Sequence, residues 1–211
     1  CAKSPDLIRR EYYRLMKSEN PIPLFDAGNI LPGETLRDTY VALSNVVTEL
    51  IRINVIPIII GGSHDLTYAQ FGGYQETGEM INVVVADSFI DLEDEESTHD
   101  RNWLIRLLTH QPNFLFNYSH IAYQTHFTSP QTLDTLDRMH FDVTRLGKVR
   151  GNTPEAEPVM RNANLVSFDM AAIKMSESPG NADATPNGLF ADDLCQLARY
   201  AGQSNRVDSF G

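Results

Sequence analysis

The sequence has little cysteine and no long apolar run. Its 211 residues contain two cysteines, too few for the disulfide framework of a small secreted domain, so a reduced, cytoplasmic protein is expected. Cys195, beside Leu194 and Leu197 in a helical apolar pattern, is expected to be a buried thiol. No apolar run approaches the about 20 residues of a membrane span, and the first residues lack a signal-peptide pattern. A membrane partner is therefore not expected.

Basic residues are also scarce. Lys and Arg number 17 against 28 Asp and Glu, which gives a net charge of −11. This balance argues against nucleic acid or an anionic membrane surface as a partner. It is compatible with cationic small substrates or metal ions, but many acidic proteins use such charge only for solubility.

The length predicts a single domain, since domains commonly contain roughly 100–200 residues. The sequence begins at Cys1 without an initiator methionine and stops at Gly211 within a strand-like pattern. We therefore expect one domain over residues 1–211, incomplete at one or both ends.

Short apolar runs alternate with helical patterns along the chain. Such runs are typical of strands buried in a parallel sheet, and the helices between them would cover both faces. The sequence therefore predicts a three-layer α/β/α fold with a doubly wound, mainly parallel sheet. The predicted strands are residues 54–60, 81–86 and 163–168, with weaker candidates at 23–25, 121–123 and 141–143. The predicted helices are residues 6–16, 35–52, 66–75, 102–109, 130–139 and 190–201.

Acidic or imidazole residues follow three of these strands. His64, Asp87, Asp91 and Asp169 would meet at one edge if the strands are parallel neighbours. Three carboxylates brought together repel each other unless a cation is present, and this donor set suits Mn²⁺ better than Zn²⁺. The alternative is that each aspartate is a turn former or a helix cap. Spacing alone leaves both interpretations open.

Four segments resemble the ureohydrolases, the family of arginase, agmatinase and formimidoylglutamase. The segments are GGSHDLTYA (61–69), DSFID (87–91), SFDMA (167–171) and SPGNADATPNGL (178–189). They resemble the family patterns G-G-D-H-S, D-x-H-x-D and S-F-D-x-D and its later Pro-Gly-rich loop, in the family's order. The resemblance covers nearly the whole chain and implies an arginase-like fold.

The resemblance also implies a metal centre. In that family two Mn²⁺ ions share a bridging hydroxide that attacks a guanidinium or formimino carbon. The ligands that match the first ion are all present, and they are His64, Asp87, Asp91 and Asp169.

The resemblance implies that the two ligands used only by the second ion are absent from this chain. Phe89 and Ala171 stand where the family has a histidine and an aspartate. The resemblance therefore implies one Mn²⁺ ion rather than two. Ser63 and Asp65 also depart from the usual order around His64.

His99 and Asp91 are the catalytic candidates. The family places a histidine near His99 for proton transfer or substrate contact, and an imidazole titrates near pH 6.5, which suits that role. The alternative is an exposed loop histidine. His126 follows a candidate strand and is expected at an ordinary polar position, with a place in the pocket lining as the alternative.

Two functions from different classes remain open. The first is a metal-dependent hydrolase that cleaves a C–N bond of a linear amidine, with a small guanidino or formimino substrate. The second is a catalytically inactive protein of the arginase fold with a binding or assembly role. The family resemblance also implies a homo-oligomer. A nucleotide-binding protein is a weaker alternative, because the sequence has neither G-x-G-x-x-G nor a Walker motif.

Overall fold

The computed structural model describes residues 4–16, 19, 22–93 and 99–211. Its helices are α1 (Ser4–Tyr12), α2 (Leu36–Arg52), α3 (Leu66–Gly72), α4 (His99–Leu108), α5 (Pro130–Arg138), α6 (Leu146–Gly151), α7 (Glu157–Arg161) and α8 (Ala191–Gly202). Its strands are β1 (Ile81–Ala86), β2 (Leu115–Tyr123), β3 (Asp142–Arg145), β4 (Leu165–Phe168) and β5 (Ser209–Phe210).

The strands form one parallel sheet in the order β3-β2-β1-β4-β5. From the central β1 the chain adds β2 and β3 on one side and then β4 and β5 on the other. This reversal is the doubly wound topology, and the carboxyl ends of β1 and β4 lie side by side at the switch point. In open sheets of this kind ligands bind at that point.

Helices cover both faces of the sheet. All six residues of β1 are buried, and their side chains alternate between two cores, as in any strand. Val83 and Val85 pack with residues of α2 to α5, including Trp103 of α4. Val84 and Ala86 pack with residues of α6 to α8. The predicted three-layer α/β/α fold is therefore confirmed.

Local signals set several helix boundaries close to the predicted positions. Thr35 caps α2 in a capping box with Asp38, and this pair satisfies two backbone N–H groups at the helix start. Ser129 accepts from the Thr132 N–H at the start of α5. Helices α6 and α7, which are short, were not predicted.

The segment at residues 54–60 is not the buried central strand that its apolar run predicts. Only a single bridge joins Ile58 to Phe210, and Ile56 and Ile58 are 56% and 61% exposed. Two hydrogen bonds make this bridge, one from the Phe210 N–H to the Pro57 carbonyl at 3.0 Å and one from the Ile59 N–H to the Phe210 carbonyl at 2.7 Å. The segment therefore lies at the edge of the sheet, beside the two-residue β5.

Two further predictions are wrong. Residues 23–25 form no strand, and Phe25 is 87% exposed. Cys195 is an exposed free thiol, because it lies about 100° around α8 from the buried Leu194. The strand predicted at 121–123 is longer in the structure and starts at Leu115. Its first part was not predicted because it includes buried polar residues, which interrupt the apolar pattern.

Within the described ranges, none of the helices combines the length and the apolarity that a membrane span requires.

Candidate metal centre

A glycine turn carries His64 into the site. Gly61 and Gly62 have φ angles of +93° and +88°, a region that side chains other than glycine rarely adopt. A Cβ atom on Gly62 would also lie 2.1 Å from the Leu66 Cδ1 atom. The turn therefore packs tightly against the start of α3, with His64 between the turn and the helix.

Adjacent parallel strands bring Asp87 and Asp169 together. In the sheet register Ala86 is paired with Phe168, so the aspartates that follow these residues leave the sheet at the same level. The Asp169 N–H donates to the Ala86 carbonyl at 2.9 Å, and the Asp87 N–H donates to the Ile121 carbonyl at 3.1 Å. The position of both carboxyl groups is thus fixed by the backbone of the sheet.

The three predicted carboxylate ligands lie around one nitrogen of the fourth ligand, the His64 imidazole. His64 Nδ1 lies 3.0 Å from Asp87 Oδ2, 3.0 Å from Asp91 Oδ2 and 3.7 Å from Asp169 Oδ2. Donor atoms of His64, Asp87 and Asp169 all lie within 4.8 Å of one another. We call this group of four side chains the acidic cradle.

The acidic cradle is nearly closed to water. The side chains of His64, Asp87 and Asp91 are 6%, 4% and 4% exposed, whereas that of Asp169 is 26% exposed. A small ligand would therefore approach the cradle from the side of Asp169.

The electrostatics of the cradle favour a bound cation. Burial by itself lowers the pKa of His64, but hydrogen bonds and attraction from Asp87 and Asp91 outweigh it and raise this pKa well above its usual value. Burial raises the pKa of the Asp87 carboxyl, and so do the neighbouring charges of Asp169 and Asp91, while His64 lowers it. The protonated imidazole thus offsets the carboxylate repulsion. A divalent cation would do the same after displacing that proton.

Trp103 contacts two members of the acidic cradle, and the sequence did not single it out. Its indole N–H donates to Asp91 Oδ2 at 2.7 Å, and its ring lies 5.0 Å from that of His64. A buried indole N–H usually finds an acceptor, but nothing in the sequence said which one. Trp103 fixes the Asp91 carboxylate, as partners behind metal ligands commonly do.

The two positions that the family resemblance assigns to a second ion, Phe89 and Ala171, lie beside the cradle, and Phe89 belongs to an aromatic stack. The Phe89 ring stacks on Phe127 with 4.5 Å between centroids, and the Arg101 guanidinium lies 4.2 Å from the Phe89 centroid. Arg101 also donates to Asp183 at 3.0 Å. Ala171 is 2% exposed. We call Phe89, Ala171, Phe127 and Arg101 the aromatic half of the site.

The altered order around His64 has a structural role. The buried Asp65 carboxylate accepts hydrogen bonds from the hydroxyl groups of Ser63 and Tyr40. These bonds tie the loop before α3 to α2. The aspartate after His64 is thus a structural partner of the turn.

The structure describes the side chain of only one of the two other candidate histidines, His99 and His126. His99 begins α4, but its side chain lies outside the described residues. His126 follows β2 and lines a surface cavity together with Gln124 and Arg145, which agrees with the alternative considered for it.

The donor set fits a divalent cation. One imidazole and three carboxylates, preorganised around a common point, match the nitrogen and oxygen ligands that Mn²⁺ accepts. The acidic cradle has the donor atoms that could hold one such ion. The aromatic half offers no side-chain ligand at Phe89 or Ala171.

Comparisons with known proteins match nearly the whole chain to one family. Residues 1–210 match the sequence profile of the Arginase family. The formimidoylglutamase of Clostridium tetani is 24% identical in an alignment of 229 residues, and this alignment covers 100% of this chain and 68% of that protein. The formimidoylglutamase of Staphylococcus haemolyticus is 25% identical, over 98% of this chain and 69% of that protein.

Solved structures show the same fold. The Mn²⁺-containing formiminoglutamase of Trypanosoma cruzi superposes with a TM-score of 0.90 at 22% identity, over 99% of this chain and 75% of that chain. The profile match, which extends over nearly all the residues, and the order of the four motifs lead to one conclusion. The chain belongs to the arginase family.

Proposed function

We propose that this protein is a metal-dependent hydrolase that cleaves a C–N bond of a linear amidine, with a formimino compound as the first candidate and a guanidino compound as the second. The relatives that carry most of the sequence similarity are formimidoylglutamases. The observation that carries the proposal is the acidic cradle, in which His64 Nδ1 lies within 3.7 Å of three carboxylate oxygens.

One Mn²⁺ ion is the proposed cofactor, held by His64, Asp87, Asp91 and Asp169. When bound, such an ion supplies positive charge that makes a water molecule more acidic and more nucleophilic. The water adds to the amidine carbon, the bond from that carbon to the carrier nitrogen breaks, and the released amine takes up a proton.

The chain's own residues orient and stabilise these groups. Trp103 holds Asp91 in place, and the buried carboxylates offset the positive charge of the amidine substrate. His99 is proposed to transfer the proton, as its position in the sequence suggests. Because Phe89 and Ala171 would supply no ligand for a second ion, slow turnover is expected.

A second candidate function rests on the aromatic half of the site. Phe89 and Ala171 provide no ligand for a second ion, and the Arg101 guanidinium, itself a cation, lies over Phe89. These features favour a catalytically inactive protein of the arginase fold that has a binding or assembly role.

Metal analysis combined with an assay separates the two candidates. After dialysis against excess Mn²⁺, elemental analysis is expected to find about one Mn²⁺ per chain. Formamide release from a formimino amino acid is then expected, along with its loss in an Asp169→Asn variant. Asp192→Asn, at an exposed position on α8, is the matched control and is expected to leave both results unchanged.

A protein that binds one Mn²⁺ but releases neither formamide nor urea would support the inactive alternative. A protein that binds no Mn²⁺ and turns over nothing would contradict the hydrolase proposal.

A further inference from the structure

A cavity of about 180 Å³ lies at the end of the sheet opposite the acidic cradle. Asn82, near the start of β1, lines this cavity, whereas Asp87 follows the end of the same strand. Five residues of extended chain separate the two positions by about 16 Å, so the metal centre does not account for the cavity. We call it the amino-end cavity, and its lining includes Asn82, Asn117, Ser119, Asp142, Pro158 and Val159.

Three neighbouring strands carry polar side chains on one face at this end of the sheet. Asn82 of β1 is paired with Asn117 of β2 in the sheet register. Two residues further along β2, Ser119 is paired with Asp142 of β3. Asn82 shares its face with Val84, which belongs to the core beneath α6 to α8. The face that is apolar in that core is thus polar at its amino end, and buried polar groups are costly unless they find partners.

One buried oxygen of the amino-end cavity has no hydrogen-bond partner. Asn82 is 8% exposed, and its amide donates to the Asn162 carbonyl at 2.8 Å. Its side-chain oxygen, Oδ1, is buried and accepts from no described residue. Since most buried polar atoms in proteins have a partner, this oxygen is suited to an N–H group of a bound molecule.

Two further acceptors line the same cavity. The Asn117 amide donates to the Ser119 hydroxyl at 3.5 Å, which leaves the Asn117 side-chain oxygen as an acceptor. The Asp142 carboxylate forms no ion pair or hydrogen bond with any side chain in the described ranges. Among the described residues that line the cavity, none is basic. The cavity therefore offers three side-chain acceptors and one uncompensated negative charge.

The size and the walls of the cavity favour an organic cation over a metal ion. Its volume far exceeds the roughly 30 Å³ that one water molecule occupies in the liquid, so a bare ion would fill little of it. Asp142 provides a single negative charge, whereas affinity for hard divalent cations depends on the charge of their ligands. Pro158 and Val159 supply an apolar wall, which suits a short hydrocarbon stem.

We propose that the amino-end cavity binds a small monovalent organic cation, an alkylammonium or alkylguanidinium group whose N–H groups donate to Asn82, Asn117 and Asp142. The charge-assisted contact to Asp142 supplies most of the affinity, because hydrogen bonds to ionised groups are about twice as strong as neutral ones. The net charge of −11 favours the approach of a cation. This site is separate from the acidic cradle and does not depend on the proposed function.

A titration followed by protein-observed NMR tests the site. Methylguanidinium and propylammonium are each added to the metal-free chain, in parallel with urea, which has a similar planar shape without charge, and with tetramethylammonium, a cation without N–H groups. Saturable shifts are expected at the amide signals of Asn82, Asn117 and Ser119. Urea and tetramethylammonium should bind at least tenfold more weakly than the tighter of the two N–H cations, which identifies the preferred group.

Two variants and one control assign the binding to named side chains. Asp142→Asn, at an exposed position, removes the charge and is expected to weaken binding at least tenfold. Asn117→Ala, at a half-buried position, removes one neutral acceptor and is expected to weaken binding about fivefold. Asp137→Asn, on the exposed face of α5, is the matched control and should bind as the parent does. Thermal unfolding checks that each variant is folded.

Four outcomes would overturn the proposal. They are the absence of saturable shifts at the amino-end cavity, shifts confined to the acidic cradle, equal binding of urea or tetramethylammonium, and parent affinity in folded Asp142→Asn and Asn117→Ala. The titration needs neither manganese nor turnover, so its result is independent of the proposed hydrolase activity.

Discussion

The acidic cradle and the aromatic half occupy neighbouring positions at one edge of the sheet, yet they are built for different contents. The cradle surrounds His64 Nδ1 with three carboxylates, and its electrostatics demand a positive charge. In the aromatic half the Arg101 guanidinium lies over Phe89 and pairs with Asp183. Under the proposed function, one metal position would be retained while the adjacent one would be filled by protein side chains.

The largest effect is expected from removing a charge of the cradle. Asp87→Asn keeps the side-chain shape but removes the negative charge nearest the centre of the sheet. Partners behind a ligand are commonly worth 10–100-fold in metal affinity, so loss of this ligand is expected to weaken Mn²⁺ binding by more than about 100-fold. A titration that follows free Mn²⁺ by electron paramagnetic resonance measures this change.

Asp137→Asn, at an exposed position on α5, is the control for that experiment and should bind as the parent does. If Asp87→Asn also keeps the parent affinity, the cradle is not the metal site and the contrast between the two halves has no functional meaning.

Restoring ligands to the aromatic half is expected to have the next largest effect. The double substitution Phe89→His with Ala171→Asp should raise the Mn²⁺ content from about one ion per chain toward two, because it supplies an imidazole and a carboxylate. Elemental analysis after dialysis gives the stoichiometry. A triple variant that adds Arg101→Ala removes the competing cation and should raise the content at least as far.

If neither the double nor the triple variant binds more metal than the parent, the two positions do not correspond to a second ion site. The aromatic half would then be an ordinary packed wall of the cradle.

Trp103→Phe is expected to have an intermediate effect. It keeps an aromatic ring in the core but removes the N–H that donates to Asp91. Mn²⁺ affinity should fall about tenfold, and the free energy of unfolding should fall by about 1–3 kcal/mol, because a buried acceptor loses its partner. Metal titration and chemical denaturation measure the two changes.

Tyr74→Phe is the matched control for Trp103→Phe. It removes a buried hydroxyl that bonds to Ser209, away from the cradle, so it should lower stability without changing Mn²⁺ affinity. Equal loss of Mn²⁺ affinity in both variants would mean that Trp103 acts only through general stability.

Arg101→Ala should have the smallest effect. The variant loses a cation–π contact and an ion pair with Asp183, which together are worth about 1 kcal/mol at a partly exposed site. Thermal unfolding should show this modest loss, while the Mn²⁺ content stays at the parent value. Arg52→Ala, which loses only exposed ion pairs, is the control. A lower Mn²⁺ content in Arg101→Ala would show that the two halves are coupled.

The fold and the cradle could be predicted to a large extent because both depend on local patterns repeated along the chain. Buried parallel strands such as β1 are continuous apolar runs, and aspartates directly after them must lie at the same edge. The apolar run at 54–60 misled this reasoning, because hydrophobicity cannot tell a central strand from an edge segment. Its pairing depends on Phe210, far away in the sequence, which exchanges hydrogen bonds with Pro57 and Ile59.

Other features had no sequence signal that identified them. The sequence pattern predicts only that Trp103 is a core residue of a helix. The packing of α4 against the loop after β1 places the Asp91 carboxylate where it accepts from the Trp103 indole N–H.

The sequence by itself predicted the alternation of strands and helices and the four candidate ligands, because each is a matter of residue type and spacing. The absence of second-ion ligands at Phe89 and Ala171 was implied by the family resemblance. The tertiary structure alone decided which donor faces which acceptor and that Arg101 covers Phe89. Distances between side chains remote in sequence depend on how helices and loops pack on the sheet, and no local pattern encodes them.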